Sequence, residues 1–506
     1  MMKASEEVVL VYDCGSTNLR VAAVNVHGDI VAQENASNSS KPQPGGKPGW
    51  MIWDLDEIWM KLCRLTRRLL EKIRGRYEVK AVVVTTWGAD GVLVRKNGEL
   101  VYPAISWQCS RTMEILNELR AKMDPWEIFK ITGYQLLPFN TLLKWIWMRK
   151  HVPKALDEAY TSLMMPCYFS YKLTGEFFSE PTTGSTTMAI DSAKRDWSPE
   201  MLDLAGLDPS FFPEWKEPGD IAGYVSEKAS NETGLKKGLP LVVGGHDTQF
   251  AIMAANAEKD EAILSSGTWE ILALRINQYT PSRKAFEQGV VIELDVEKGY
   301  WNPQFLMIAS AVLEWVRKLA YSETLQKGYQ IMVEEASRVP PGSDGLLFLP
   351  SFFPESGPTA RFSVPGAIIG LGLASSRSQI YRAALEGLSC QLRLATGLVE
   401  EAFDMKLRGI RIVGGGSKNE LWNQIRANIT GKRISVSRFA ESTVLGAALT
   451  AFKGIGVFKT LDEAKKSLDY RTRFFPPSEN REIYEKIYKR YLEAYKALSA
   501  IYAKKK

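Results

Sequence analysis

Cysteine and histidine are scarce: the 506 residues contain five of the first and three of the second. The cysteines (Cys14, Cys63, Cys109, Cys167, Cys390) are widely separated, odd in number and without the paired spacing of metal ligands. That pattern argues against a zinc module and a disulfide framework, and implies reduced thiols in a cytosolic protein. Long apolar runs are missing as well. No stretch approaches the roughly 18 residues that a membrane helix requires, and no charged-then-apolar segment precedes the strand-like run at Val8. A soluble, cytoplasmic protein without a membrane partner is expected. Nor does one sign of charge dominate. Lys and Arg number 64 against 58 Asp and Glu, and the net +6 lies on scattered helix faces and the terminal lysines. There is no basic stripe interleaved with aromatics, so nucleic acid is not an expected partner.

What is present is an ordinary globular composition, 45% hydrophobic, in a chain longer than the roughly 250–300 residues at which single cores stop growing. Two domains are expected, 1–250 and 251–506. Residues 8–12, 19–26 and 79–85 read as strands, with an amphipathic helix over 55–73 between the second and third. Strands alternating with helices predict an α/β fold with layered domains. Residues 37–49, rich in Ser, Pro and Gly, read as a surface loop, and 180–188 as a Gly- and Thr-rich segment. Further strands are expected at 239–243 and 409–413, with helices at 142–150, 251–256, 378–396 and 419–430. In the tail, Ile483, Ile487, Tyr491, Tyr495 and Leu498 recur at helical spacing, which predicts a helix packed on the body.

Two short motifs repeat each other half a chain apart. Val8-Val-Leu-Val-Tyr-Asp-Cys-Gly-Ser-Thr-Asn-Leu-Arg20 and Ala262-Ile-Leu-Ser-Ser-Gly-Thr-Trp-Glu-Ile-Leu-Ala-Leu274 are each an apolar strand, a turn of Gly beside hydroxyl residues, and a second apolar run. Such a turn offers backbone N–H groups and a hydroxyl at one point, and Gly leaves room for a phosphate oxygen. An ordinary hairpin looks similar. Asp13 closes the first strand just before its turn, where a carboxylate suits either a Mg²⁺ between it and bound phosphates or capping of its own turn. Arg20 suits either a phosphate contact or a solvated strand charge. Asp247 stands where a strand gives way to a helix, a position that suits a base for a sugar hydroxyl or a simple helix cap. Its neighbour His246, without a visible partner cluster, reads as a structural histidine. Gly414-Gly-Gly-Ser-Lys-Asn419 between strand and helix is a candidate shelf for adenosine.

Together these motifs resemble the FGGY carbohydrate kinases over almost the whole chain. Asp13-Cys-Gly-Ser-Thr-Asn-Leu-Arg20 and Ser266-Gly-Thr-Trp269 are similar to that family's two phosphate segments, and 414–419 to its adenosine segment. Residues 139–151 (Phe-Asn-Thr-Leu-Leu-Lys-Trp-Ile-Trp-Met-Arg-Lys-His) resemble its first signature, and Gly366-Ala-Ile-Ile-Gly-Leu371 with Gln379-Ile-Tyr-Arg-Ala-Ala-Leu-Glu386 its second. The resemblance implies two actin-like (ribonuclease H-like) α/β domains with ATP and Mg²⁺ in the cleft between them. It implies Asp247 as the catalytic base and Asp13 near the metal. Gly15, Ser16, Thr17, Arg20, Gly267, Thr268, Gly415, Gly416 and Asn419 become ATP contacts. Trp87, Asp90, Phe139 and Asn140, with Asp247, become contacts to the sugar, Asp90 offering a carboxylate to its hydroxyls and Trp87 an apolar face.

The expected reaction is phosphorylation of the C1 hydroxyl of a ketose, L-fuculose first, with L-rhamnulose, xylulose or another ketose as rivals. Outside the class, an actin- or chaperone-type ATPase shares the paired turns. A homodimer is compatible with this reading. Residues 352–361 depart from the family, lacking the Gly-Glu-Arg triplet of many relatives.

Overall fold

The protein is described by a computed structural model over residues 6–322, 328–353 and 357–502. Its first large sheet combines β1 (Glu6–Cys14), β2 (Asn18–Asn25), β3 (Ile30–Ser37), β4 (Tyr77–Thr86), β5 (Ile221–Tyr224) and β6 (Pro240–His246), in the order β5-β6-β4-β1-β2-β3. β1, β2 and β3 form an antiparallel meander, while β4 runs parallel to β1 and β6 parallel to β4. The second comprises β7 (Glu261–Ser266), β8 (Trp269–Ala273), β9 (Val291–Leu294), β10 (Trp301–Ile308), β11 (Gly409–Val413), β12 (Arg433–Val436) and β13 (Arg473–Phe475), in the order β9-β10-β8-β7-β11-β12-β13. The path β3-β2-β1-β4-β6 is therefore repeated as β10-β8-β7-β11-β12, with the same parallel and antiparallel senses. The two Gly-hydroxyl motifs occupy the same hairpin in the two copies.

Around the first sheet and its extensions lie α1 (Leu55–Ile73), α2 (Thr141–His151), α3 (Pro181–Thr186) and α4 (Asp247–Ala254). Later in the chain come α5 (Ser310–Ala320), α6 (Arg377–Ala402), α7 (Glu420–Thr430), α8 (Ser442–Gly454) and α9 (Arg481–Tyr502). β1 is buried on both faces, as its unbroken Val-Val-Leu-Val-Tyr run requires. Successive strand residues point to opposite sides. Val8, Leu10 and Tyr12 join the apolar stripe of α1, made by Leu55, Ile58, Leu62, Leu65 and Leu69. Val9 and Val11 meet Phe250 and Met253 of α4 and Val444, Leu445 and Ala448 of α8. A helix from the second half of the sequence thus closes the core of the first sheet.

The expected elements are present with local differences. The 37–49 segment carries a two-residue strand, Lys41–Pro42, paired with Met51–Trp53. The Gly- and Thr-rich 180–188 segment folds as α3, because the Glu180 carboxylate accepts from the backbone N–H groups of Thr182 and Thr183 at 2.7 Å each. α6 starts at a capping box formed by Ser376 and Gln379 and runs beyond the expected 378–396. In α9 the packed face is Tyr484, Ile487, Tyr491 and Tyr495, whereas Ile483 is exposed. The stripe is real, but its first member is one residue later than the spacing suggested. Residues 354–356, in the middle of the divergent loop, lie outside the described residues. Among the described residues no helix is long and apolar enough to cross a membrane.

Candidate active site

Both glycine turns are built alike. Gly15 N–H donates to the Asn18 carbonyl at 2.8 Å, and Gly267 N–H to the Trp269 carbonyl at 2.9 Å, so each turn closes on its own hairpin. Thr17, Gly267 and Thr268 are exposed, and Ser16 is half-buried. Among the described residues the backbone N–H groups of Ser16, Thr17 and Thr268 have no backbone acceptor. Outward-facing N–H groups and hydroxyls on two turns suit an anion held from both sides.

Beside the first turn, Asp13 is paired across the β1–β2 ladder with Arg20. Arg20 Nε lies 3.9 Å from Asp13 Oδ2, and Nη1 donates to Glu441 Oε2 at 2.6 Å. The expected phosphate contact is thus an ion-paired residue linking β2 to the start of α8. Burial pushes the Asp13 carboxyl up to about 7, Arg20 opposing and the Asp247 and Glu441 carboxylates adding to it. Asp247 opens α4 at the end of β6. Burial raises its carboxyl as well, with His246 and the Thr248 N–H acting against the shift. Oδ1 accepts from Thr248 N–H at 2.6 Å, and Oδ2 has no partner among the described residues. A basic oxygen without a protein donor is what a base for an alcohol proton needs. Among the described residues no three acidic, His or Cys side chains converge as a metal cage. Mg²⁺ keeps several waters and takes phosphate oxygens, so one carboxylate backed by uncompensated negative charge still fits it.

The second turn and the glycine shelf are one unit. Arg426 and Glu270, both fully buried, form an ion pair on which Ser266 converges: its hydroxyl donates to Glu270 Oε1 at 2.7 Å and accepts from Arg426 Nη2 at 2.9 Å. Arg426 Nη1 bonds Asn423 Oδ1 at 3.0 Å, and Asn423 Nδ2 bonds the Ser417 carbonyl at 2.7 Å. Gly414 has φ +85°, and a Cβ on Gly416 would lie 2.0 Å from Ser266 Oγ, so the shelf sits directly on the end of β7. Gly415 meets nothing on its Cβ side within 4 Å, leaving an open surface. Asn419 caps α7 through Oδ1, accepting from Trp422 N–H at 3.0 Å, and its Nδ2 donates to Tyr381 Oη at 3.2 Å. Residues 440–443 join this unit to Asp13 and Asp247. Gly414 N–H donates to the Ala440 carbonyl at 3.2 Å, Lys418 Nζ lies 4.0 Å from Glu441, and Thr443 Oγ1 donates to the Asp247 carbonyl at 3.3 Å.

On the opposite side of Asp247, Trp87-Gly88-Ala89-Asp90 forms a tight turn after β4. Ala89 adopts φ 64°, a left-handed conformation that costs a non-glycine residue about 1–2 kcal/mol. It is held by Thr186 Oγ1 on its N–H (2.8 Å) and by Lys144 Nζ (2.7 Å) and Thr141 Oγ1 (3.1 Å) on its carbonyl. Asp90 is fully buried. Oδ2 accepts from the indole N–H groups of Trp53 (2.6 Å) and Trp87 (2.8 Å) and from Trp107 N–H (3.2 Å), while Oδ1 is paired with Lys144. Burial pulls the Lys144 ammonium below the usual lysine range, against the pull of Asp90. Asn140 is likewise buried, accepting from Leu137 N–H and donating to the Thr186 carbonyl, both at 3.1 Å. Both polar side chains expected to meet a sugar therefore spend their hydrogen bonds on protein, because α2 and the 87–90 turn pack around them. Trp87, stacked at 4.5 Å on Trp53, and the half-buried Phe139 supply the apolar surface.

Residues 8–254 match the N-terminal domain of the FGGY family of carbohydrate kinases, and 262–455 its C-terminal domain. The chain belongs to the FGGY carbohydrate kinases. It is a phosphotransferase with an alcohol group as acceptor. An L-fuculokinase of Escherichia coli K12 is 37% identical to it over 482 residues, covering 95% of this chain and 100% of that one. The crystal structure of a xylulose kinase from Rhodospirillum rubrum superposes with a TM-score of 0.84 at 22% identity, over 98% of this chain and 100% of that one. A Plasmodium falciparum glycerol kinase with ADP gives a TM-score of 0.84 at 23% identity, over 97% and 98%. At such identities the superpositions speak for the fold, two α/β halves of the actin-like type.

Several residues that organise this FGGY kinase carried no sequence signal: Glu293, Glu441, and the Ser266, Glu270, Asn423 and Arg426 group. Each acts on a partner distant in sequence. The contact of shelf and turn predicts that Gly416→Ala costs this kinase about 1–3 kcal/mol by overpacking and raises KM for ATP. Gly415→Ala, with space on its Cβ side, leaves stability unchanged. Thermal melts and ATP titrations of the two variants check this, and equal stability losses would contradict it.

Proposed function

We propose that the protein transfers the γ-phosphoryl group of ATP to the C1 hydroxyl of a ketose, L-fuculose above others, giving the 1-phosphate. The observation that carries this reading is Asp247, with Oδ1 tied to Thr248 and Oδ2 unengaged, standing between the first phosphate turn and the 87–90 turn. The sugar lies against Trp87 and Phe139, with its C1 hydroxyl toward Asp247 Oδ2. Asp90, Lys144 and Asn140 act from beneath by fixing the turn and the start of α2. Ser16 and Thr17 on one side and Gly267 and Thr268 on the other hold the phosphates, and Gly415, Gly416 and Asn419 border the adenosine.

As the bond to phosphorus forms, Asp247 accepts the hydroxyl proton. Asp13 would hold Mg²⁺ directly or through water, and the ion would supply charge neutralisation on the phosphates. Arg20, tied to Glu441, sets the local charge and links the first turn to α8. We place the domain boundary near residue 250 and the protein in the cytoplasm, where ATP is supplied and the five free cysteines stay reduced. L-Fuculose is favoured over other ketoses by the 37% identity to an L-fuculokinase across 95% of the chain.

A panel of L-fuculose, L-rhamnulose and D-xylulose with ATP, followed by product identification, tests the reading. The expected result is ketose-dependent ADP release with the highest kcat/KM on L-fuculose. A higher kcat/KM on another ketose overturns the sugar assignment, and ATP turnover indifferent to every sugar overturns the transfer itself.

A further inference from the structure

His246 is not used by the reaction just described, yet it has the most constrained side chain near the base. It is the last residue of β6 and the N-cap position of α4, where its side chain makes no capping bond. Its backbone N–H donates to Thr182 Oγ1 at 2.8 Å, and Thr182 in turn donates to the buried Glu180 at 2.6 Å. The ring extends away from its own helix. Nδ1 lies 2.9 Å from Glu293 Oε2, and Nε2 lies 3.5 Å from Asp247 Oδ1. Glu293 belongs to β9 of the other sheet and is held there by Tyr134 Oη on Oε1 (2.7 Å) and Gln249 Nε2 on Oε2 (2.6 Å). Gln249 is fixed in turn by Asn302. A Cβ on Gly88 would lie 2.9 Å from Nε2, so the 87–90 turn closes the remaining side of the ring.

We propose that His246 is a positioning residue for the base: anchored across the cleft by Glu293, it presents Nε2–H to Asp247 Oδ1 and so fixes the aim and the charge of that carboxylate. This rests on Asp247 being the base. With Thr248 and His246 both on Oδ1, Oδ2 is the oxygen turned toward the substrate. Three carboxylates face the ring: Asp247 from its own helix, Glu293 from β9 and Glu180 from the cap of α3. Asp13, with Arg20, lies beyond Asp247. Burial alone disfavours a charged imidazole, but these carboxylates outweigh it and raise the ring to about 9. The ring is then a cation through the working range. A cation beside a carboxylate lowers the carboxylate's pKa, so the desolvated Asp247 stays ionised at lower pH than it otherwise would. Because Glu293 comes from the second sheet, the base is fully set only while the two halves are together at this point.

The test uses the full-length enzyme and its scarcity of histidine. In ¹⁵N-histidine-labelled protein, one of the three imidazoles (His27, His151, His246) should remain protonated at pH 8, and that signal should vanish in His246→Gln. In kcat against pH, His246→Gln should move the acid limb upward by about one unit or more, the usual effect of losing a close opposite charge. Activity at pH 6 then falls roughly tenfold more than at pH 8.5, with KM for ATP unchanged. Glu293→Gln should shift the limb in the same direction. Three imidazoles that all titrate between pH 6 and 7, or a uniform loss of kcat at every pH, overturn the inference. Asp247→Asn measured alongside separates the failures. If it retains near-normal kcat, the base assignment itself is wrong; if it is inactive while His246→Gln leaves the limb in place, only the role of His246 is.

Discussion

Asp247→Asn is expected to lower kcat by roughly 10²–10⁴, the usual contribution of a positioned general base, while ATP still binds. The amide has nearly the shape of the carboxylate and can still accept from Thr248 N–H through its oxygen. What it loses is the proton-accepting Oδ2, which no protein donor occupies among the described residues. The change removes negative charge beside Asp13, whose carboxyl is raised partly by Asp247, so nucleotide binding should if anything strengthen. Steady-state rates with saturating ketose and ATP, beside an equilibrium titration with ATP, give both quantities. A kcat within a few-fold of wild type would remove Asp247 from the role. A joint loss of kcat and ATP binding would point to collapse of the site instead.

Arg426→Met is expected to cost about 3–5 kcal/mol of folding stability, the scale for stripping a buried charge of its partner. Glu270 would be left with Ser266 as its remaining donor, and its Oε2 already has no hydrogen-bond partner. Arg426 also lies 3.4 Å over the Trp422 ring and fixes Asn423, which holds the shelf at Ser417. Loss of the guanidinium should therefore loosen two nucleotide-facing loops at once and raise KM for ATP. Chemical unfolding curves give the stability, and the double variant Arg426→Met/Glu270→Met gives the control. Two apolar groups of similar volume leave no orphaned charge, so much of the stability should return. If the single variant unfolds like wild type, the pair is not the anchor that its burial indicates.

Much of the fold was legible because it rests on local patterns. The apolar run of β1, the 3.6-residue stripe of α1 and the glycines of the two turns each declare themselves within a dozen residues. The site was legible where a single residue type in a turn carries the chemistry, as with Asp13 and Asp247. It was not legible where function depends on meetings across the chain. Glu293 is 47 positions from His246, and Glu270 is 156 from Arg426, so neither spacing has a sequence period to reveal it. Asp90 shows the same limit from the other direction. A carboxylate in a Trp-Gly-x-Asp turn reads as an offer to sugar hydroxyls, but Trp53 and Lys144, 37 and 54 positions away, converge on it and bury it. Ile483 failed more simply. Neighbouring helix positions differ by about 100° around the axis, and the body of the protein engages Tyr484 instead.

The repetition of one strand path in two sheets puts the 87–90 turn after β4 and the glycine shelf after β11 at corresponding points of the two copies. One of these corners is filled, with two indoles and a buried ion pair under it; the other is stripped to glycine, with its charges set back behind β7. A single ancestral corner has thus been specialised in opposite directions. Because the two corners are supported by separate buried networks, mutational drift in the packed one can retune which alcohol is accepted while the bare one goes on holding the same nucleotide.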